Sequence, residues 1–252
     1  MLKKLFCATV LLSTLAFTAL QAQNTTYPTA KYSEIIPIDP MEYYGDVELA
    51  DAENGISLKY VKTLTKQELL KFLTNETVLT SVAEFDKNGN KMFIPTRISE
   101  KGKQYIVTMD YVKFTTVDLK KDSDMIGELC VGVGFRVIAN ISSKAANVNL
   151  GDLFSISIAA KEKKVYGSLS IEVLGLHDPS ITSLIPLPSE ISAASIQSMM
   201  QAMAMVKQKM YEDKIDLNPQ IVGLKGVKDG VTLPQLNEAV LEYHKIGKKN
   251  PR

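Results

Sequence analysis

From Leu129 to Ile141 the chain alternates without a break. Leu129, Val131, Val133, Phe135, Val137, Ala139 and Ile141 share one side of an extended backbone, and Cys130, Gly132, Gly134, Arg136, Ile138 and Asn140 share the other. Successive side chains of a strand point to opposite faces, so the run predicts a β-strand with one apolar face and one small or polar face. The same period of two marks Val78 to Phe85, Met92 to Ile98 and Tyr105 to Asp118. Asp86 to Asn90, with Asn88-Gly89 inside it, predicts a hairpin turn between the first two, and Pro95 puts the second at an edge or strand end. Phe154, Ile156 and Ile158 alternate with Ser155 and Ser157, and Gly167, Leu169, Ile171 and Val173 alternate with Ser168, Ser170 and Glu172. These two runs predict a further hairpin across Lys161 to Lys164.

Helical spacing takes over beyond Gly175. Pro179, Pro186 and Pro188 predict an ordered loop or edge segment over 175–188 and argue against a helix there. Ser189 or Ser192 then caps a helix reaching about Asp213, in which Ile196, Met199, Met203, Val206 and Met210 recur at three and four residues and form one stripe. Thr65 to Glu68 has the form of a capping box and opens a short helix carrying Leu69, Leu70, Phe72 and Leu73. Ile221 to Leu224 suits a short strand, and Thr232 caps a last helix over Leu236, Val240, Leu241 and Tyr243. The expected class is α+β: an antiparallel sheet from about Val78 to Leu176, packed by one long amphipathic helix and a shorter C-terminal helix. Residues 56–252 form the expected single domain. Residues 23–55 precede it as an acidic extended arm that packs only in part, with seven carboxylates and no Lys or Arg between Tyr32 and Leu58.

The beginning of the chain changes the picture of where this fold works. Met1 to Lys4 is a charged start, Leu5 to Leu20 an apolar run, and Gln21-Ala22-Gln23 a small-residue cut site, the pattern of a secretory leader over residues 1–22. Thr9, Ser13, Thr14 and Thr18 interrupt the run, which is shorter than the roughly 20 residues of a spanning helix. No later stretch approaches that length, so no transmembrane span is expected and the mature protein belongs in the periplasm or outside the cell. Cys7 opens the apolar run, whereas a lipid-modified cysteine would close it. Cleavage removes Lys3 and Lys4, so 29 basic and 28 acidic residues become 27 and 28, a net charge of −1. Evenly mixed charge excludes nucleic acid as a partner, because that binding needs clustered cations. Cleavage also leaves Cys130 as the one thiol, so an exported fold of 230 residues rests on its core without an internal disulfide. Such disulfide poverty suits a bacterial cell envelope.

Candidate chemistry narrows the function only slightly. Met199, Met200, Met203, Met205 and Met210 fall within twelve residues, and thioethers bind soft copper. Most of them follow the core-facing stripe, however, so packing is expected, with no metal and no cofactor. Met205 lies on the opposite side of that helix. Asp86, Asn88 and Asn90 resemble the opening of a calcium loop, but Lys91 and Arg97 stand where the loop needs Gly and Glu. A thiol hydrolase would have to use Cys130, His177 and Asp178, and a cysteine in mid-strand lacks the helix N-terminus that lowers a thiol's pKa. A carrier of an apolar small molecule or lipid would be walled by Gly132, Gly134, Ser155, Ser157, Met199 and Met203, although the same small residues equally admit a close-packed helix or sheet. With no Trp and no aromatic girdles, insertion as a membrane barrel is disfavoured. The expectation is a non-enzymatic binding or structural component of the envelope, with an envelope protein or an apolar ligand as partner.

Overall fold

A computed structural model of the chain describes residues 35–51, 55–85, 91–94, 97–98 and 100–249. The expected leader over residues 1–22 with Cys7, the first part of the expected acidic arm, the expected Asp86 to Asn90 turn and Pro95 lie outside them. In chain order the elements begin with β1 (Ile36–Glu42), the hairpin β2 (Asp46–Asp51) and β3 (Gly55–Tyr60), a 3-10 turn (Val61–Thr63) and α1 (Lys66–Phe72). There follow β4 (Asn75–Phe85), β5 (Lys91–Ile94), β6 (Arg97–Ile98), β7 (Gln104–Lys121), β8 (Asp124–Ser143), β9 (Val148–Asn149), α2 (Leu153–Lys161) and β10 (Val165–Leu174). The C-terminal part holds β11 (Leu176–His177), α3 (Pro179–Thr182), β12 (Ser189–Glu190), α4 (Ala193–Met210), β13 (Asp216–Leu217), β14 (Gln220–Lys225) and α5 (Leu233–Lys249).

An eight-stranded antiparallel sheet organises the molecule, six strands in the order β1-β14-β8-β7-β4-β5 with β10 branching from β8 and β12 pairing with β10, so the class is α+β as expected. β7 and β8 are its axis. Asp122 and Ser123 both take positive φ, the geometry of a two-residue hairpin turn, and the pairing that follows runs from Lys121–Asp124 to Gln104–Ser142. On its other side β8 changes partner, pairing with β14 over Glu128–Gly132 and with β10 over Gly134–Ser143. The face predicted to be apolar is buried along its whole length, from Leu129 to Ile141. α2 and α4 pack against each other, and α4 lies over β8 and β10 while α5 lies over β7. Full burial of a side chain such as Leu129 or Phe135 contributes about 1.5–3 kcal/mol, which makes this face the main source of stability.

Local signals account for most helix starts. Thr65 and Glu68 close the expected capping box, and Ser192 and Ser195 close a second one at the start of α4. α4 buries Ile196, Met199, Val206 and Met210 with Ala202, leaves Met203 half-buried, and exposes 42% of Met205. Gln235 bonds the Thr232 backbone N–H at the start of α5, which at 17 residues nearly equals the 18 of α4.

Two expectations need correction. Phe154 to Ile158 is not a strand: it lies in α2, because Asp152 accepts from the Ser155 N–H as an N-cap and Leu153, Ile156 and Ala159 bury one helical side. The partner of β10 is therefore β8. The proline-rich segment also contains one helical turn, α3, since Pro179 occupies the first helical position, where its missing N–H costs nothing, and Asp178 caps it. Within residues 35–55, β1 is a member of the main sheet through its pairing with β14. Among the described residues no helix is long and apolar enough to cross a membrane.

Candidate functional site

The six residues expected to wall a ligand site do not converge. Met199 is fully buried in the core on the helix-covered face, whereas a side chain at Gly132 would point toward Phe114 on the opposite face. The glycines leave no vacant space. A Cβ on Gly132 would stand 2.6 Å from the Lys113 carbonyl oxygen, and one on Gly134 would collide with the Tyr111 carbonyl, so both glycines admit the close approach of β7. Ser155 is on α2, donating to the Asp152 carboxylate at 2.8 Å and accepting from Asn149 at 3.1 Å, and Ser157 is half-buried on the same helix.

The second face is closed near β14 by Ile35, Val112, Phe114, Cys130, Leu174 and Val222. Burial pushes the Cys130 thiol up to about 12, which keeps it protonated and non-nucleophilic. His177 lies apart from it, exposed in an open surface recess with Asp178, Thr182 and Ser183, and Asp178 is occupied in capping α3.

Beside that cluster stands a buried ion pair. Arg136 and Asp110 are directly opposed on β8 and β7, with side chains 5% and 3% exposed. Arg136 donates from Nε and Nη2 to the two Asp110 carboxylate oxygens, each at 2.7 Å. Its remaining donors reach the Ile38 carbonyl at 2.6 Å and the Val222 carbonyl at 2.7 Å. Both carbonyls belong to irregularities, since β1 slips register between Pro37 and Met41 and β14 between Ile221 and Gly223. Burial pushes the Asp110 carboxyl up against the pull of the guanidinium. A planar fork that satisfies two carboxylate oxygens and two freed carbonyls is a structural clamp on the β1 side of the sheet.

A second polar cluster ties α4 to the sheet. Glu76 on β4 accepts from the phenols of Tyr111 and Tyr211 and pairs with Lys207 at 3.1 Å, while Lys207 sits 4.8 Å from the Tyr111 ring centre. Those bonds, the Tyr111 phenol first, pull the Glu76 carboxyl down to about 2. It is too acidic to serve as a general base near neutral pH. Similarly, the Tyr44 phenol and then Lys62 and His177 hold Glu42 below its ordinary range, and His244 Nδ1 contacts the Glu42 carbonyl at 3.0 Å.

An open groove of about 1030 Å³ runs between the β2–β3 hairpin, α1 and the far end of β7. Asp46, Glu48, Lys59, Glu68, Lys71 and Asp118 line it with charges of both signs, and Leu49, Leu58 and Phe72 add apolar surface. Its wall is preorganised: Lys59 holds Glu68 at 2.5 Å, while Glu68 accepts from the Thr65 N–H. Above it the hairpin exposes Ile56 by 74% and Leu58 by 60%. The hairpin is a two-stranded sheet of its own, so its outer edges are unpaired among the described residues. Carboxylates, ammonium groups, threonine hydroxyls and two exposed aliphatic side chains suit recognition by contact, with ion pairs at the rim and apolar burial between them.

Among the described residues no group of three or more His, Cys, Asp or Glu side chains is arranged to hold a metal ion. Compared with known protein families, characterised proteins and solved structures, the chain matches none. The clamp and the tyrosine cluster escape a linear reading because each joins residues from separate strands or helices. The clamp's one visible signal is a charge in the middle of each strand, Arg136 in β8 and Asp110 in β7, which becomes informative once the two strands are paired in register.

Proposed function

We propose that this protein is an exported, non-enzymatic binding or structural component of the cell envelope, with the groove beside the β2–β3 hairpin as its contact surface. The observation that carries the reading is the hairpin itself. It offers strand edges that are unpaired among the described residues, and two highly exposed aliphatic residues, beside a groove rimmed by charges of both signs. Exposed edges and apolar side chains of this kind are ordinarily covered, and a protein partner covers both at once. The leader-like start of the chain supports the placement in the envelope.

Mass spectrometry of native material purified from its own envelope fraction tests the reading, because it reports the mature N-terminus and the copurifying molecules together. The expected result is a chain beginning at Gln23 with a protein partner whose recovery falls in an Ile56→Asp/Leu58→Asp variant. An uncleaved chain in the cytosol, or a partner retained equally by that variant, would overturn it.

A further inference from the structure

A different surface, at the end of the sheet where β7 begins and β8 ends, has a composition that the groove does not explain. Three turns are bound together there. The Gly102 N–H donates to the Ser143 carbonyl at 2.7 Å, Ser143 N–H to Lys103 at 3.1 Å, and Lys144 N–H to Lys164 at 2.7 Å. These turns bring Lys101, Lys103, Lys144, Lys161, Lys163 and Lys164 to one end of the molecule. Glu84 and Glu100 engage Lys103, and Glu162 engages Lys164. Lys101, Lys144, Lys161 and Lys163 form no salt bridge among the described residues, so six cations face three carboxylates.

Apolar side chains stand next to these lysines. α2 ends in the lysine turn, and its outward side carries Phe154, 69% exposed, and Ile158, 44% exposed, four residues apart, with Lys161 completing the same stripe. Tyr166, 51% exposed, is the second residue of β10 beyond the turn, and the Lys144 ammonium lies 4.6 Å from its ring centre. Nothing in the fold asks for this arrangement, since α2 already buries Leu153, Ile156 and Ala159 on its inner side.

We propose that this end of the molecule docks on an anionic phospholipid surface. The apolar groups stand on a helix ridge and beside turn tips, a projecting shape that can enter a headgroup layer. Phe and Tyr rings suit the boundary between acyl chains and headgroups, and lysine stems lie along apolar surface while their ammonium groups reach the phosphates. The net positive charge of the patch, in a chain whose total charge is near zero, selects an acidic surface. Asp152, at the start of α2 near Phe154, is a fourth carboxylate, held by the Ser155 N–H and hydroxyl, and six cations against four carboxylates still leave the patch net positive. The inference goes beyond the proposed envelope role, which a protein in the groove would fulfil without any lipid contact.

Vesicle flotation of the full chain tests it, with phosphatidylcholine alone and phosphatidylcholine mixed with phosphatidylglycerol. Variants share the leader, so their differences report the patch. The expected result is flotation with the acidic vesicles that weakens as salt is raised. Lys161→Glu/Lys163→Glu should lower the partition coefficient about thirtyfold or more, since it removes two surface lysines and reverses their charge. Phe154→Ser should lower it several-fold without changing the salt dependence, and circular dichroism should show both variants folded, since all three positions are exposed. Equal binding to neutral and acidic vesicles, unchanged binding by the folded variants, or binding to soluble polyglutamate without binding to acidic vesicles would each overturn the proposal, the last in favour of an acidic protein surface. None of these outcomes touches the groove, which the Ile56/Leu58 experiment tests separately.

Discussion

Replacing Arg136 by Met keeps much of the length and bulk of the side chain while removing every donor that closes the β1 side of the sheet. The cost can be worked from the four bonds. Taking one partner from a buried ion pair destabilises by about 3–5 kcal/mol, mainly because the remaining charge is left without compensation. Asp110, 3% exposed in its side chain, is in that position. The carbonyls of Ile38 and Val222 also lose their donors, and an orphaned buried acceptor costs about 1–3 kcal/mol unless water reaches it. Water reaches the Ile38 carbonyl once β1 opens, so only the Val222 carbonyl adds its full cost and the expected total is about 4–8 kcal/mol. Against a typical stability of about 5–15 kcal/mol, that is a large share, equivalent to a fall of about 2–4 M in urea midpoint for an ordinary urea dependence. Far-ultraviolet circular dichroism is the suitable probe, because the chain has no Trp. A double variant, Asp110→Leu/Arg136→Met, removes the stranded carboxylate but leaves both carbonyls without donors. It should recover part of the loss and remain about 1–3 kcal/mol below the parent. Amide exchange over Ile36–Glu42 should quicken in both variants. A single variant costing less than about 1 kcal/mol would refute the clamp, as would a double variant as stable as the parent.

Three further outcomes follow from other contacts. Glu76 is held at about 2 when folded against 4.5 when free, so its contribution is complete above about pH 4.5 and is lost as pH falls toward 2. Solvent screening of this partly exposed group reduces that contribution to about 1 kcal/mol, and Glu76→Gln should remove this part of the acid limb in stability measured from pH 6 to pH 2. An unchanged acid limb would count against the cluster. Gly134→Ala should cost about 3 kcal/mol or more because its Cβ meets the Tyr111 carbonyl, whereas Gly127→Ala, whose nearest neighbour is 3.4 Å away, should fall within about 1 kcal/mol; equal midpoints for the two variants in thermal melts would show that β7 yields. In a Cys7→Ser chain, Cys130 should resist a thiol reagent until denaturant is added, and rapid labelling of the folded protein would contradict its burial.

What the sequence discloses and what it conceals divide along a physical line. The strand Leu129 to Ile141 and the stripe of α4 are legible because burial on one side writes a period into the chain, and the cap at Thr65 is legible because its partner lies three residues away, whereas at α4 the sequence leaves Ser189 and Ser192 both open and the bond to Ser195 selects Ser192. Phe154 to Ile158 deceives for the same reason. Over five residues an alternation of apolar and serine positions is compatible with both periods, and Asp152, a cap just outside the window, decides for the helix. The glycines mislead in another way. Read along one strand, Gly132 and Gly134 look like space for a ligand, but the space belongs to the backbone of β7, a neighbour that only the pairing register identifies. Arg136 shows how far such a residue depends on register, because its four acceptors come from β1, β7 and β14, separated by up to 98 residues from it in the chain. A polar side chain in mid-strand therefore carries little meaning until the strands around it are placed. Once they are, it marks where the sheet had to break its own hydrogen-bond pattern and what restores the broken bonds.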